Sequence, residues 1–255
     1  MHLIDATLPV LVAQGRIIDR VQARRWSWAL SRLDIAKVKG PKEPVVASDA
    51  LCGLDGVLTG DYQALFQKLR RLGRIEIVFG DNFGWATALA ACWLEEGGGG
   101  VVCSLTGSGG LAALERLRLC LHVSGRVPLT GSGHVFQELR QLFEEMSGQA
   151  VDHFAPVLGR GVFVGESGVH VDSWPKDPSL YEPFPPQLVG AKRLLTIGRH
   201  SGQVALRLKC WQLGLSYPQE KFPELLTLAR DKSTALERSL TDQEFTDLTQ
   251  IRMEG

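Results

Sequence analysis

Through the first 150 residues, short apolar runs alternate with stretches whose apolar positions recur every three or four residues. That is the rhythm of strand–helix units built around a parallel sheet. Leu3-Ile4-Asp5-Ala6-Thr7-Leu8 predicts a first strand, Ile17 to Leu33 a helix and Asp34 to Lys39 a short strand. Gly40-Pro41-Lys42-Glu43-Pro44 then breaks the chain. Tyr62, Leu65, Phe66, Leu69 and Leu72 share one helical face, with Asp61 as its cap. Ile75 to Phe79 predicts a buried strand, Trp85 to Glu96 a helix stopped by glycines 97 to 100, and Val101 to Leu105 another strand. Helices are predicted over Leu111 to Leu121 and His134 to Met146.

After Pro156 the periodic runs give way to Gly, Pro and aromatic residues, which marks a domain boundary. Gly202 to Leu213 and Phe222 to Arg230 predict helices, and Thr241-Asp242-Gln243-Glu244 has the form of a helix start capped by Thr241. The chain reads as α/β, with a partial barrel-like domain over 1–155, a small subdomain over 156–213 and a helical segment over 214–255. A closed eight-stranded α/β barrel takes about 250 residues. Too little chain precedes the change of texture, so the barrel is expected to be incomplete. An open sheet exposes unpaired edge groups, so partnership is expected, and aggregation without the partner.

Composition narrows the classes. The 255 residues are 44% hydrophobic, enough for a substantial core. Lys+Arg and Asp+Glu are both 28, which leaves no net field for nucleic acid or anionic lipid. Cys52, Cys92, Cys103, Cys120 and Cys210 show no C-x-x-C spacing and mostly sit in apolar stretches, which predicts reduced core thiols rather than a disulfide or zinc site. The amino terminus lacks a basic leader and a small-residue exit, and no segment is long enough to span a bilayer; a cytoplasmic location is expected.

Four stretches carry a more specific signal: Gly161-Val-Phe-Val-Gly-Glu-Ser-Gly-Val-His170-Val-Asp, Lys176-Asp-Pro-Ser-Leu-Tyr181-Glu-Pro-Phe184, Leu188-Val-Gly190 and Ile197-Gly-Arg-His-Ser-Gly202. In order and spacing they resemble the homocitrate synthase family. Isopropylmalate synthases share the pattern, but the Lys-Asp-Pro-x-x-Tyr-Glu-Pro-Phe wording is closer to the homocitrate synthases associated with nitrogenase. Upstream, Cys52-Gly-Leu-Asp-Gly-Val-Leu-Thr59 and Ile75-Glu-Ile-Val-Phe-Gly-Asp-Asn-Phe-Gly-Trp-Ala-Thr87 resemble the sixth and seventh strand regions of that family's barrel. The departures are as specific as the matches. The family's His-x-His metal pair is Val78 and Gly80 here, the following Asn-Asp is Asp81-Asn82, and Leu-Arg-Asp-Gly-Glu after the first strand is Leu8-Pro-Val-Leu-Val12. Its Gly-x-Gly-Glu-Arg loop is reduced to Gly107-Ser-Gly-Gly110, and the strands between the second and sixth have no counterpart. Neither Val nor Gly can ligate a divalent cation through its side chain.

The resemblance implies condensation of acetyl-CoA with 2-oxoglutarate, which needs a base for the acetyl methyl and a cation to polarise the ketone. It implies no metal on this chain and a divalent metal on a partner, a barrel subunit of the same family. The family's His and Tyr that reach into the neighbouring chain's active site map to His170 and Tyr181. A histidine titrating near pH 6.5 suits the base, and a Tyr hydroxyl can orient it or stabilise the enolate oxygen. The plain alternative for His170 is a polar residue satisfied by its own loop. Glu166 and Ser167 either position the base, contact substrate, or form a short polar turn. His200 and Ser201 carry a structural or coenzyme-facing role by resemblance, while Ser201 also suits the cap of the helix that follows. The glycine loops at 106–110 and 130–133 read as turns, and Trp26, Trp28, Trp85 and Trp93 as core or interface positions on helix faces. Three functions stay in play: an omega-type subunit that completes a metal-bearing partner in trans, a non-catalytic regulatory or structural paralogue paired with a full-length synthase, and a stand-alone enzyme. The last has no nucleophile–base pair, carboxylate dyad or metal cluster in the sequence to carry it.

Overall fold

Asp5 decides where the first strand ends. Its carboxylate accepts the N–H of Thr7 (3.2 Å) and the Thr7 hydroxyl (2.5 Å), which folds the chain out of β1 (His2–Asp5) and into α1 (Thr7–Ala13). The predicted strand through Leu8 is therefore cut short, and Thr7 and Leu8 are helical. The next helix, α2 (Arg20–Ser31), starts later than the periodicity suggests because Asp19 and Gln22 form a reciprocal capping box, at 2.8 and 3.1 Å. The computed structural model describes residues 2–35, 37–48, 50–52, 54, 62–73, 75–166, 177–180 and 182–251. Asp61 lies outside them.

These residues form two units, Met1–Val162 with Gln187–Gly190, and Phe163–Pro186 with Ala191–Gly255. In the first, β1 is followed by β2 (Lys37–Val38), α3 (Tyr62–Arg70), β3 (Glu76–Val78), α4 (Ala86–Glu95), β4 (Gly100–Ser104), β5 (Ala112–Ala113), α5 (Leu114–Val123) and α6 (His134–Ser147). Among the described residues the sheet is five-stranded and wholly parallel, in the order β2-β1-β4-β3, with β5 beside the end of β4. Leu51 adds a parallel bridge to Ile77. Such parallel pairing with intervening helices makes the unit α/β.

Alternation along the strands separates two faces. On one, Asp5 reaches Trp26 of α2 through the indole N–H (2.8 Å), and Phe79 meets Phe66 of α3 edge-on at 6.1 Å. On the other, Ile4, Val102 and Val78 stand opposite one another in register. Leu111 to Ala113, predicted as helix, is extended instead: Ala112 and Ala113 pair with Cys103 and Ser104, and the Ala113 N–H is taken by Thr87 Oγ1 at 3.0 Å. Trp26 and Trp93 are core residues, whereas Trp28, Trp85 and Trp211 are exposed. All five cysteines are free; Cys103 and Cys210 are buried, but Cys120, inside the apolar run of α5, faces solvent.

The second unit has a short parallel pair, β6 (Val164–Gly165) and β7 (Leu194–Leu195), then α7 (Gln203–Leu213), α8 (Phe222–Ala235) and α9 (Asp242–Ile251). Ile197, Leu206, Phe222, Leu225, Leu240 and Phe245 anchor its core. Thr241 caps α9 in the predicted box: its Oγ1 accepts the Glu244 N–H (3.2 Å), and the Glu244 carboxylate accepts the Thr241 N–H (2.8 Å). Among the described residues no helix is long and apolar enough to cross a membrane.

Candidate functional site

In the second unit, Glu166 is the point on which separate stretches of chain converge. It leaves β6 and points at the turn after β7, where its Oε1 accepts the His200 N–H (2.8 Å). Its Oε2 accepts the Ser239 hydroxyl (2.7 Å), and its backbone carbonyl accepts the Ser201 hydroxyl (3.0 Å). Ser201 is fully buried; its Oγ also accepts the Gly198 N–H (3.0 Å), and its carbonyl accepts two bonds from Arg230, at 3.0 and 2.7 Å. Ser201 is therefore not the cap of α7: the capping position is Gly202, without a side-chain bond. His200 contributes its backbone to this framework, while its imidazole accepts from Arg199 Nε at 3.0 Å. The framework borders a cavity of about 190 Å³ lined by Glu166, Arg199, His200 and Arg238 among others. That is below the roughly 300 Å³ at which ligand pockets begin, so it belongs to the framework rather than to a coenzyme.

Ser167, His170 and Tyr181 lie outside the described residues. The chain on either side of them is pinned. Glu166 immediately precedes Ser167, and Glu182 immediately follows Tyr181. The Glu182 carboxylate is gripped by both Nε (2.7 Å) and Nη2 (2.6 Å) of Arg193, the residue before β7. This is the bidentate fork that holds a carboxylate in both position and orientation, and it raises the pKa of Arg193 further. Ser239, Gly198, Arg193 and Arg230 escaped sequence reasoning. Gly198 had a signal in the Gly-Arg-His-Ser-Gly run, but nothing in the sequence links Ser239 to a residue 73 positions away.

Gly198 shows how tightly the framework is built. A Cβ there would lie 2.5 Å from the Glu166 carboxyl carbon. Gly198→Ala is expected to push the carboxylate off its two donors at a cost of about 1–3 kcal/mol. Glu166→Gln keeps an acceptor for His200 and an N–H for Ser239 Oγ, and should cost less than about 1 kcal/mol. Urea unfolding of the three proteins checks this, and equal midpoints for Gly198→Ala and wild type would remove Glu166 from the role of anchor.

In the first unit, the carboxyl ends of the parallel strands are where such sheets bind ligands. Here that end is apolar. Val10 and Val78 are 3% and 7% exposed and belong to one cluster with Ile4, Ala6, Val102 and Leu111. Asp81 is occupied with the N–H of Ala86 (2.9 Å). Two buried acids lie near this end but on the helical side of the sheet. Burial pushes Asp5 up to about 6, against the pull of Thr7 and Trp26, and Glu115 up to about 7, against the pull of the Thr106 N–H and Arg116. Glu115 takes that N–H at 2.9 Å and so fixes Thr106, whose φ is +60°, at the start of the glycine loop.

Comparison with known proteins adds a similarity to this geometry. A family model described as homocitrate synthase post-HMGL domain-like matches residues 157–245, which contain the Glu166 framework. The homocitrate synthase omega subunit of Clostridium pasteurianum is 31% identical over 151 residues, 59% of this chain and 43% of that protein. This chain is similar to the homocitrate synthases. Homocitrate synthase AksA of Methanothermobacter thermautotrophicus is 33% identical over 162 residues (62% of this chain, 41% of that protein). The 2-isopropylmalate synthase 2 of Caldanaerobacter subterraneus is 35% identical over 174 residues (67% and 45%). The chain thus spans less than half the length of each of these relatives.

The resemblance makes the cation the decisive question. Val10 and Val78 stand where the resemblance places metal ligands, and both are packed among aliphatic side chains that offer no donor atom. Among the described residues no group of three or more His, Cys, Asp or Glu side chains is placed to hold a metal ion. The described residues at this end of the sheet do not fit a divalent cation.

Proposed function

We propose that the chain is an omega-type subunit of a two-chain homocitrate synthase, its first unit a partial barrel and its second unit the donor of His170 and Tyr181 to a metal-bearing partner. One observation carries this reading. The Glu166 and Glu182 anchors flank the His/Tyr motif intact, while the positions of the metal ligands are taken by Val10, Val78 and Gly80, whose side chains offer no donor. Parts that serve the motif are kept and parts that serve a cation are not.

In this reading His170 takes a proton from the methyl group of acetyl-CoA, and Tyr181 orients the imidazole or hydrogen-bonds the enolate oxygen. The enolate carbon attacks the keto carbon of 2-oxoglutarate, forming the new C–C bond, and the keto oxygen takes a proton to become the tertiary hydroxyl. Water then cleaves the thioester, releasing CoA and homocitrate. The divalent cation that polarises the ketone belongs to the partner.

The test begins with the chain alone. Calorimetry with manganese, zinc and magnesium is expected to show no stoichiometric binding at micromolar concentration, and acetyl-CoA with 2-oxoglutarate is expected to release no CoA. Binding together with turnover would overturn the split-enzyme reading. Co-purification from the native cell, sequencing of the associated chain, and assay of the complex with 2-oxoglutarate and other 2-oxo acids complete it. A partner with metal motifs but without its own His and Tyr supports catalysis in trans. A partner complete in both makes this chain a regulatory or structural subunit.

A further inference from the structure

A parallel sheet with fewer strands than a closed barrel should leave the face turned away from α2 and α3 open to water. In the first unit it is not. Ile4 and Val102 on that face are fully buried, Val78 is 7% exposed, and Leu111 is 4% exposed. What covers them belongs to the same chain: Val45, Val46 and Ala50 pack against the cluster.

These residues come from the connector between β2 and Leu51, and both of its ends are tied to the sheet. At the β2 end, the Lys39 N–H donates to the Asp5 carbonyl (2.8 Å), and the buried Lys39 Nζ donates to the carbonyls of Pro44 (3.1 Å) and Val45 (2.9 Å). At the β3 end, the Leu51 N–H donates to the Glu76 carbonyl, and the Val78 N–H to the Leu51 carbonyl, both at 2.9 Å. The connector thus leaves from one edge of the sheet and arrives at the other. The sheet itself is curled, because Lys37 on β2 and Glu76 on β3, at opposite ends of the strand order, form an ion pair at 2.5 Å.

We infer that residues 40–48 and 50–51 seal the inner face of the first unit in place of strands, with Lys39 as the clasp, so that a partner chain docks with a barrel already closed on its own. Among the described residues this face leaves no vacancy for strands of another chain. The second half of this inference rests on the two-chain reading; the seal itself does not.

Hydrogen exchange read by mass spectrometry, with a hydrophobic dye as second probe, tests both halves. In the isolated full chain, the amides of Ala50, Leu51 and Val78 are expected to be protected and the dye to stay dark. Lys39→Met removes the donor to both carbonyls and should speed exchange over 44–51 by about tenfold, with dye binding increased. Unprotected 44–51 or dye binding in the wild-type chain overturns the seal, whatever the variant does. On addition of the metal-bearing chain that co-purifies, exchange at 37–39 and 44–51 should stay unchanged. Faster exchange at 44–51, or new protection along β2, would show strands entering and overturn the closed-partner half. If no chain co-purifies, the two-chain reading and the docking half fall together, while the seal stands or falls on the isolated protein.

Discussion

His170→Ala in the reconstituted complex is expected to lower turnover by about 10²–10⁴-fold, the usual worth of a general base. Subunit association, followed independently by sedimentation, should be unchanged, and so should metal binding by the partner. Tyr181→Phe should act in the same direction. The double variant should lose much less than the product of the two, because both side chains would serve one proton transfer. The flanking anchors sharpen the test. Arg193→Met releases Glu182, the neighbour of Tyr181, without touching either proposed catalytic group, so it should resemble a milder Tyr181→Phe rather than a binding defect. If His170→Ala keeps wild-type turnover in an intact complex, the chemistry belongs wholly to the partner.

The residues of this framework were legible in unequal degree, and the difference has a physical origin. Glu166, His200 and Ser201 belong to short motifs whose order survives in the linear chain, so the sequence alone singles them out. The exact bond each makes is not legible there. A serine followed by glycine before a helix satisfies the local rule for a cap, yet Ser201 spends its hydroxyl on Glu166 and Gly198 across the β6–β7 pair. Ser239 is invisible for the same reason in stronger form, since its partner is fixed by tertiary packing. The helix with a clear apolar stripe, α6, falls within a residue of the bounds its periodicity predicts. Short extended pieces do not, because Thr7 and Ala113 obey side-chain bonds with Asp5 and Thr87 rather than periodicity. The most consequential miss is the connector. Read as a break after Gly40-Pro41, it carries no periodic signal, and only the fold reveals that Val45, Val46 and Ala50 close a face that strand counting leaves open.

The stability of the chain is expected to fall as pH rises from about 4 to above 7, and Glu115→Gln should remove about half of that fall. Both Asp5 and Glu115 are raised, from 3.8 to about 6 and from 4.5 to about 7, by burial. Well below pH 3.8 both are protonated in the folded and the unfolded chain, and neither costs anything. Between there and the folded values, the unfolded chain releases its protons while the folded chain retains them, so folding becomes progressively less favourable. Shifts of this size are worth about 3 kcal/mol each, at about 1.4 kcal/mol per unit. Gln at 115 keeps a carbonyl for the Thr106 N–H and removes the ionisation, so it should stabilise by about 3 kcal/mol at pH 8 and leave pH 4 unchanged. Asp5→Asn should give no such gain. Three donors converge on the Asp5 carboxylate, from the Thr7 N–H, the Thr7 hydroxyl and the Trp26 indole, and an amide would turn its own N–H₂ toward one of them. Urea midpoints across this pH range, taken as the difference between variant and wild type, cancel every other titrating group. A flat difference curve for Glu115→Gln would mean that Glu115 ionises as readily inside the fold as outside it, with Arg116, 3.5 Å away and 41% exposed, supplying the compensation.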